Sequence, residues 1–118
     1  MRAILLVFLV VQAPTVLGVG CTGFAVSLSK CQVHTCTQVN PINIQESIKR
    51  DITAENGVCH YKEYIDNNLK LSCRLSDDNK DKLVSLYNKS ATTFFDNKAL
   101  IDISRQIQAI PGCEAQYD

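Results

Sequence analysis

The dipeptide Asn56-Gly57 is the sequence feature that most constrains the fold, because it separates two segments rich in strand-forming residues. Both residue types tolerate positive φ, which a tight two-residue hairpin turn requires. Upstream of it, isoleucines fall on even positions from Ile42 to Ile52 and the odd positions are polar, as in a strand with one buried face. Because some of these isoleucines are also four residues apart, the segment fits a helix as well, and pairing has to decide between the two.

A hairpin with Glu55 opposite Val58 predicts a favourable register along both strands. Two apolar pairs and two pairs of opposite charge result, and each such pair stabilises a sheet by about 0.2–1 kcal/mol. A slip of one residue would destroy them all, so the pattern favours the hairpin over the helix. The pairs are Ile52 with Tyr61, Ile48 with Ile65, Arg50 with Glu63, and Asp51 with Lys62.

A second turn at Asp66-Asn67-Asn68 predicts a third strand from Leu69 to Leu75. If Tyr64 pairs with Asn68, Cys59 lies opposite Cys73, within reach of a disulfide. Cys59–Cys73 is therefore the preferred bridge. The predicted buried face of the sheet consists of Ile48, Ile52, Tyr61, Ile65, Leu71 and Leu75.

The residues after the third strand predict helices that cover this face. Ser76 is a good N-cap, and the acidic residues after it suit the positive end of the helix dipole. Apolar residues at helical spacing indicate a second helix from about Asn97, which Pro111-Gly112 ends. The two stripes are Leu83, Leu86, Tyr87, Ser90 and Phe94, then Leu100, Ile103, Ile107 and Ile110.

The predicted fold class is α+β: an antiparallel β-meander of about three strands, covered by one or two C-terminal helices and stabilised by disulfides. The segment from Thr22 to Val39 stays open. Alternation of its apolar residues fits a strand, whereas the spacing of Phe24, Leu28 and Cys31 fits a helix.

Residues 1–20 read as a cleaved secretory signal peptide, with Arg2 followed by an apolar run and small residues near its end. Residues 21–118 then form a single small domain. An even number of cysteines in an exported domain of this size predicts a disulfide framework. A cysteine directly after Gly20 leaves open a lipoprotein anchored through Cys21. The six cysteines are Cys21, Cys31, Cys36, Cys59, Cys73 and Cys113.

The sequence predicts no catalytic residue, no cofactor and no metal site. Cysteines and histidines near residues 31–36 and 59–60 are spaced irregularly for zinc, and neighbours in a strand such as Cys59 and His60 point to opposite faces. The formal net charge is +0, so nucleic acid is not an expected partner.

Two sets of residues in the predicted sheet have alternative interpretations. Arg50 and Glu63 share the face of the isoleucines, and we interpret them as a cross-strand pair near the sheet edge rather than as a functional pair. On the other face, Val58, His60 and Tyr64 either form a contact surface or pack beneath the N-terminal segment.

Residues 25–87 resemble small exported bacterial proteins of uncharacterised function. The resemblance consists of Ser27-Leu28-Ser29-Lys30-Cys31, Cys36, Asn40-Pro41, the run from Gly57 to Glu63 with its Gly-x-Cys-x-Tyr-x-Glu pattern, and Cys73. It implies a periplasmic or envelope protein and no catalytic residue. Cys21 and Cys113 fall outside the pattern.

These observations predict an exported small non-enzymatic binding or envelope-accessory protein, periplasmic or secreted, whose partner is another protein. Membrane association is expected only if Cys21 is lipidated. The alternatives are a secreted inhibitor or toxin-like effector, a lipoprotein anchored through Cys21, and an enzyme with an unrecognised site.

Overall fold

A computed structural model describes residues 21–40, 42–93 and 96–116. The signal peptide prediction lies outside these residues. The architecture is α+β, as predicted, with a fully antiparallel sheet in the order β1-β2-β3-β4-β5 and helices packed on it. In chain order the elements are α1 (Phe24–Lys30), β1 (His34–Val39), β2 (Ser47–Glu55), β3 (Val58–Ile65), β4 (Asn68–Leu75), α2 (Asp77–Ala91), α3 (Asn97–Gln108) and β5 (Cys113–Ala115).

The sheet has five strands rather than the predicted three, and a helix from the N-terminal part of the described chain covers it together with the two C-terminal helices. The open segment from Thr22 to Val39 supplies both α1 and the edge strand β1, and the chain end adds β5. The strand predicted from Ile42 begins only at Ser47. Before it, the backbone N–H of Asn40 donates to the Glu46 carbonyl oxygen at 2.9 Å, and this closes a loop that leaves Ile44 exposed.

The β2–β3 hairpin has the predicted register throughout. Asn56 and Gly57 adopt φ of 53° and 77°, the positive values that their two-residue turn requires. One assumption about the turn therefore predicted the register of the two strands correctly. The observed pairs include Glu55 with Val58, Ile52 with Tyr61, Ile48 with Ile65, Arg50 with Glu63 and Asp51 with Lys62.

The predicted register of β3 with β4 is wrong, and so is the Cys59–Cys73 disulfide. Asp66 and Asn67 both adopt positive φ and form the turn alone, so Asn68 pairs with Ile65. An irregularity in pairing between Glu63 and Tyr64 then shifts the strands further. Two facing pairs result beyond it: Cys59 with Leu75, and Tyr61 with Cys73.

The six cysteines form three disulfides, which confirms the predicted framework and indicates an oxidising, exported environment. Two of them flank α1, since Cys21 precedes the helix and Cys31 follows it. The third joins β4 to β5 where the two residues face each other across the sheet. The bonds are Cys21–Cys36, Cys31–Cys59 and Cys73–Cys113.

Both C-terminal helices begin with the side-chain caps that hold the first backbone N–H groups. The Ser76 hydroxyl accepts from the N–H of Asn79 at 3.3 Å, as predicted, and Asp96 accepts from the N–H of Ala99 at 3.0 Å. After α3, Gly112 adopts φ of 93°, and a Cβ there would lie 2.1 Å from the Arg74 carbonyl oxygen. Only glycine fits this passage from α3 to β5.

The core lies between one sheet face and the helices. The ring of Phe24 in α1 makes tilted or edge contacts with the rings of His34, Tyr61 and Tyr87, at 5.2, 6.0 and 5.5 Å between centroids. Within the predicted stripes, Phe94 lies outside the described residues. The largest fully buried side chains are Tyr61, Phe24, Leu28, Ile52, Leu83 and Cys73.

Candidate binding cavity

A cavity of about 660 Å³, partly open to solvent, lies between the helix-covered face of the sheet and the helices. Its volume is in the range of pockets that hold small organic molecules, roughly 300–1,000 Å³. Much of the wall is aliphatic and comes from both layers. The aliphatic residues that line it include Ile48, Ile65, Leu71, Leu83, Leu100, Ile103 and Ile107.

Arg50 is the charged group that β2 places in this wall. Its side chain belongs to the face of Ile48 and Ile52, and the residue is only 9% exposed. Neither Nε nor Nη1 has a hydrogen-bond partner in the described part of the chain. A buried donor without a partner costs about 1–3 kcal/mol, and more when it is charged. The fold therefore keeps two buried donors without a protein partner on a residue that lines the cavity.

Aromatic and acidic groups surround the guanidinium. The Tyr87 ring, on α2, has its centroid 5.2 Å from the central carbon of the Arg50 guanidinium, a cation–π distance. Glu63 lies opposite Arg50 on β3, and its Oε2 accepts the Tyr61 hydroxyl at 2.5 Å. Because Nε and Nη1 of Arg50 have no partner, neither nitrogen is bonded to this carboxylate.

Burial and charge shift the pKa of the groups in this cluster. Burial would lower the pKa of Arg50, but the oxygens of Tyr61, Glu63 and Tyr87 outweigh it and raise the pKa overall. Burial raises the pKa of Tyr61 well above its usual value, and the charge of Glu63 adds to this. Burial also raises the pKa of Tyr87. At neutral pH Arg50 is therefore a cation and both phenols are neutral donors or acceptors.

Arg50 and Glu63 form the predicted cross-strand pair, but its predicted location near the sheet edge is wrong. Their opposite positions are as predicted, but Arg50 also pairs on its other side with Cys36 of β1. The strand β2 is therefore internal, and the pair faces the cavity. The sequence signal was present, since two charged residues interrupt an otherwise apolar face. Tyr61 and Tyr87, the aromatic members of the cluster, were predicted only as core.

The residues considered for zinc do not converge. Cys31, Cys36 and Cys59 are all consumed in disulfides. Among the residues that the structure describes, no group of three or more histidine, cysteine, aspartate or glutamate side chains is arranged to hold a metal ion.

His34 has a serine neighbour, which raises the question of a catalytic pair. Its Nδ1 lies 2.8 Å from the Ser27 hydroxyl, and its ring packs against Phe24. In the described segments no carboxylate hydrogen bonds to this ring, whereas a serine nucleophile requires its base to be oriented by a third group. The pair serves to join α1 to β1.

The opposite sheet face does not lie beneath the N-terminal segment. Phe24 of α1 contacts Tyr61, whose side chain points away from that of its neighbour His60. Val58, His60 and Tyr64 are half-buried, and Lys49 Nζ lies 4.5 Å from the Tyr64 ring centroid. This face is a mixed polar surface, and among the described residues the buried side-chain atoms without a partner belong to Arg50, on the cavity side.

Comparisons with protein-family models, with curated proteins and with solved structures find no match to this chain. Among the described helices, none is both long and apolar enough to cross a membrane. The candidate site therefore depends on the geometry around Arg50.

Proposed function

We propose that this protein is an exported small binding protein, without catalytic activity, that holds a small organic molecule between its sheet and its helices. The observation that carries the proposal is a buried, unpartnered guanidinium in a cavity of about 660 Å³. Small-molecule sites typically combine an apolar wall with a few placed polar groups. The cavity has this composition.

Binding is favoured over catalysis by the chemistry of the polar groups. Arg50 donates hydrogen bonds but does not give up a proton near neutral pH, so it is a poor general acid. Glu63, the carboxylate nearby, already accepts the hydroxyl of Tyr61. These groups are suited to fix the orientation of a ligand.

Three disulfides support a periplasmic or secreted location, which the leader in residues 1–20 also predicts. The bond between Cys21 and Cys36 argues against a lipid anchor on Cys21, because one sulfur atom cannot carry both bonds. Intact-mass measurement of exported protein, before and after reduction, tests both points. A lipid adduct or free thiols would contradict them.

Binding in the cavity is tested with 1-aminoanthracene, a neutral dye whose fluorescence rises in apolar surroundings. Titration of the oxidised protein should show saturable binding. Leu100→Trp fills the cavity wall and should weaken it, whereas Ile101→Trp, on the next residue of α3 and 41% exposed, should not. Circular dichroism and thiol counting verify that both variants fold.

Failure of the unmodified protein to bind the dye would overturn the cavity proposal and favour the protein partner predicted from the sequence. Equal binding by both tryptophan variants would place the dye elsewhere and overturn it too. Turnover of a bound ligand would favour the enzyme alternative.

A further inference from the structure

We infer that the ligand of this cavity is a monocarboxylate with an apolar body, whose carboxylate binds Arg50. This inference rests on the proposed function and adds the chemical class of the ligand. It starts from Nε and Nη1 of Arg50, which are buried and have no partner in the described chain. An ionised oxygen acceptor forms the strongest hydrogen bonds with such donors.

The charge of the cavity wall limits the ligand to a single negative charge. The charged residues among the described lining are Arg50 and Lys70, which are cationic, and Glu63, which is acidic. Glu63 lies opposite Arg50 on the neighbouring strand. A monoanion balances the charge of Arg50, whereas a dianion such as a phosphate monoester would be repelled by Glu63 at close range.

The guanidinium is held in place before any ligand binds. Tyr87 packs over it from α2, and β2 is fixed by strands on both sides. A preorganised donor loses little conformational entropy on binding, so its hydrogen bonds contribute more of their energy to affinity. Arg50 is thus suited to serve as the anchor of a ligand.

The remainder of the wall determines the ligand's body. Aliphatic side chains of the sheet, such as Ile48 and Leu71, face those of α3, such as Leu100 and Ile103. An alkyl or alicyclic body between these layers would bury apolar surface, and this burial favours binding. A carboxylate on one end and hydrocarbon on the other match the two parts of the cavity.

The experiment compares ten-carbon ligands that differ only in the head group, as competitors of 1-aminoanthracene: decanoate, 1-decanol, decyl phosphate and decyltrimethylammonium. All are used below their micelle concentrations at neutral pH. We expect decanoate to bind about tenfold or more tightly than decanol, because only the carboxylate forms hydrogen bonds between two charged groups with Arg50. Decyl phosphate and the cation should bind more weakly than decanoate.

Variants then locate the head group. Arg50→Met should remove the preference for decanoate over decanol and leave decanol binding in place. Lys49→Met, the adjacent residue on the opposite sheet face, is the matched control and should keep the preference. Glu63→Gln retains an acceptor for Tyr61 and should tighten decanoate binding, because it removes a nearby negative charge.

The outcomes separate this inference from the proposed function. Dye binding without any preference for decanoate would overturn the inference and leave the binding protein intact. Tighter binding of decyl phosphate or of the cation would overturn the head-group assignment. Absence of dye binding would overturn the proposed function itself. Because the head-group series uses the unmodified protein, misfolding of Arg50→Met would not prevent a decision.

Discussion

The helix α1 and the helix pair α2–α3 cover the same sheet face but are stabilised in different ways. The helix α1 has seven residues, and its N-cap residue, Gly23, makes no side-chain capping bond. The helices α2 and α3 have 15 and 12 residues, and Ser76 and Asp96 cap them. Isolated helices shorter than about 12–15 residues are marginal in water, so α1 requires help that its own sequence does not provide.

Sulfur and packing provide that help. Disulfides from Cys21 and Cys31 attach both ends of α1 to the sheet, while Phe24 and Leu28 are fully buried beneath it. Helices that cover the same sheet face can therefore depend either on capping residues within their own sequence or on disulfides and packing against distant residues. Only helices that depend on their own capping residues can be predicted from a single sequence.

Phe24→Ala should have the largest effect, a loss of about 3–5 kcal/mol in the free energy of unfolding. The substitution leaves a void among the rings of His34, Tyr61 and Tyr87. Urea denaturation of the oxidised protein measures it, with Val26→Ala, 57% exposed on the same helix, as the control within about 0.5 kcal/mol. A small loss at Phe24 would mean that the disulfides alone hold α1.

Removal of the Cys31–Cys59 bond by Cys31→Ala with Cys59→Ala should cost about 2–4 kcal/mol, because the bond closes a loop of 28 residues. Hydrogen exchange should accelerate mainly in α1, whose C-terminal end is released. The helices α2 and α3, which have capped starts, should stay protected. Uniform acceleration across the three helices would contradict the distinction between α1 and the helix pair α2–α3.

Ser76→Ala and Asp96→Ala should each lower the free energy of unfolding by about 1 kcal/mol, because each leaves a backbone N–H without its acceptor. Ser85→Ala, exposed within α2, is the control and should not destabilise. If the cap variants match this control in denaturant titrations, local signals do not hold the C-terminal helices.

Alkaline pH should destabilise the protein through its two buried phenols. A pKa that is higher in the folded state means that stabilisation is complete below the usual value of 10.0 and is lost as the pH rises through the folded value. Tyr61→Phe, beneath α1, should reduce the decrease of the free energy of unfolding with pH more than Tyr87→Phe on α2 does. Urea denaturation from pH about 8 to about 11 measures the slopes, and identical slopes would contradict the ranking.

The fold was predicted best where the structure depends on residues that are close together in the sequence. Asn56-Gly57 determined the β2–β3 register, and Ser76 marked the start of α2. The second turn offered three residues that all tolerate a turn, and a shift between Glu63 and Tyr64 has no signature in the sequence. The disulfide prediction failed with that register, since bridging depends on which residues face each other.

The candidate site was only partly predictable. Alternation placed Arg50 opposite Glu63, which the structure bears out. Arg50 and Glu63 face a cavity because β1 makes β2 an internal strand and because a gap separates the sheet from the helices. Neither feature can be predicted from the spacing of residues within one strand. The spacing of Phe24 and Leu28 fits both a strand and a helix, and only their packing against the sheet favours the helix.

The meander order of the sheet has a consequence for how the chain matures after export. Strands β2, β3 and β4 each pair with the strand that precedes them in the sequence, so β1 to β4 can pair without closing long loops. Each disulfide, however, joins one cysteine on these strands to one outside them, namely Cys21, Cys31 or Cys113. Thiol coupling in this protein therefore attaches α1 and β5 to a meander whose strand order does not depend on it.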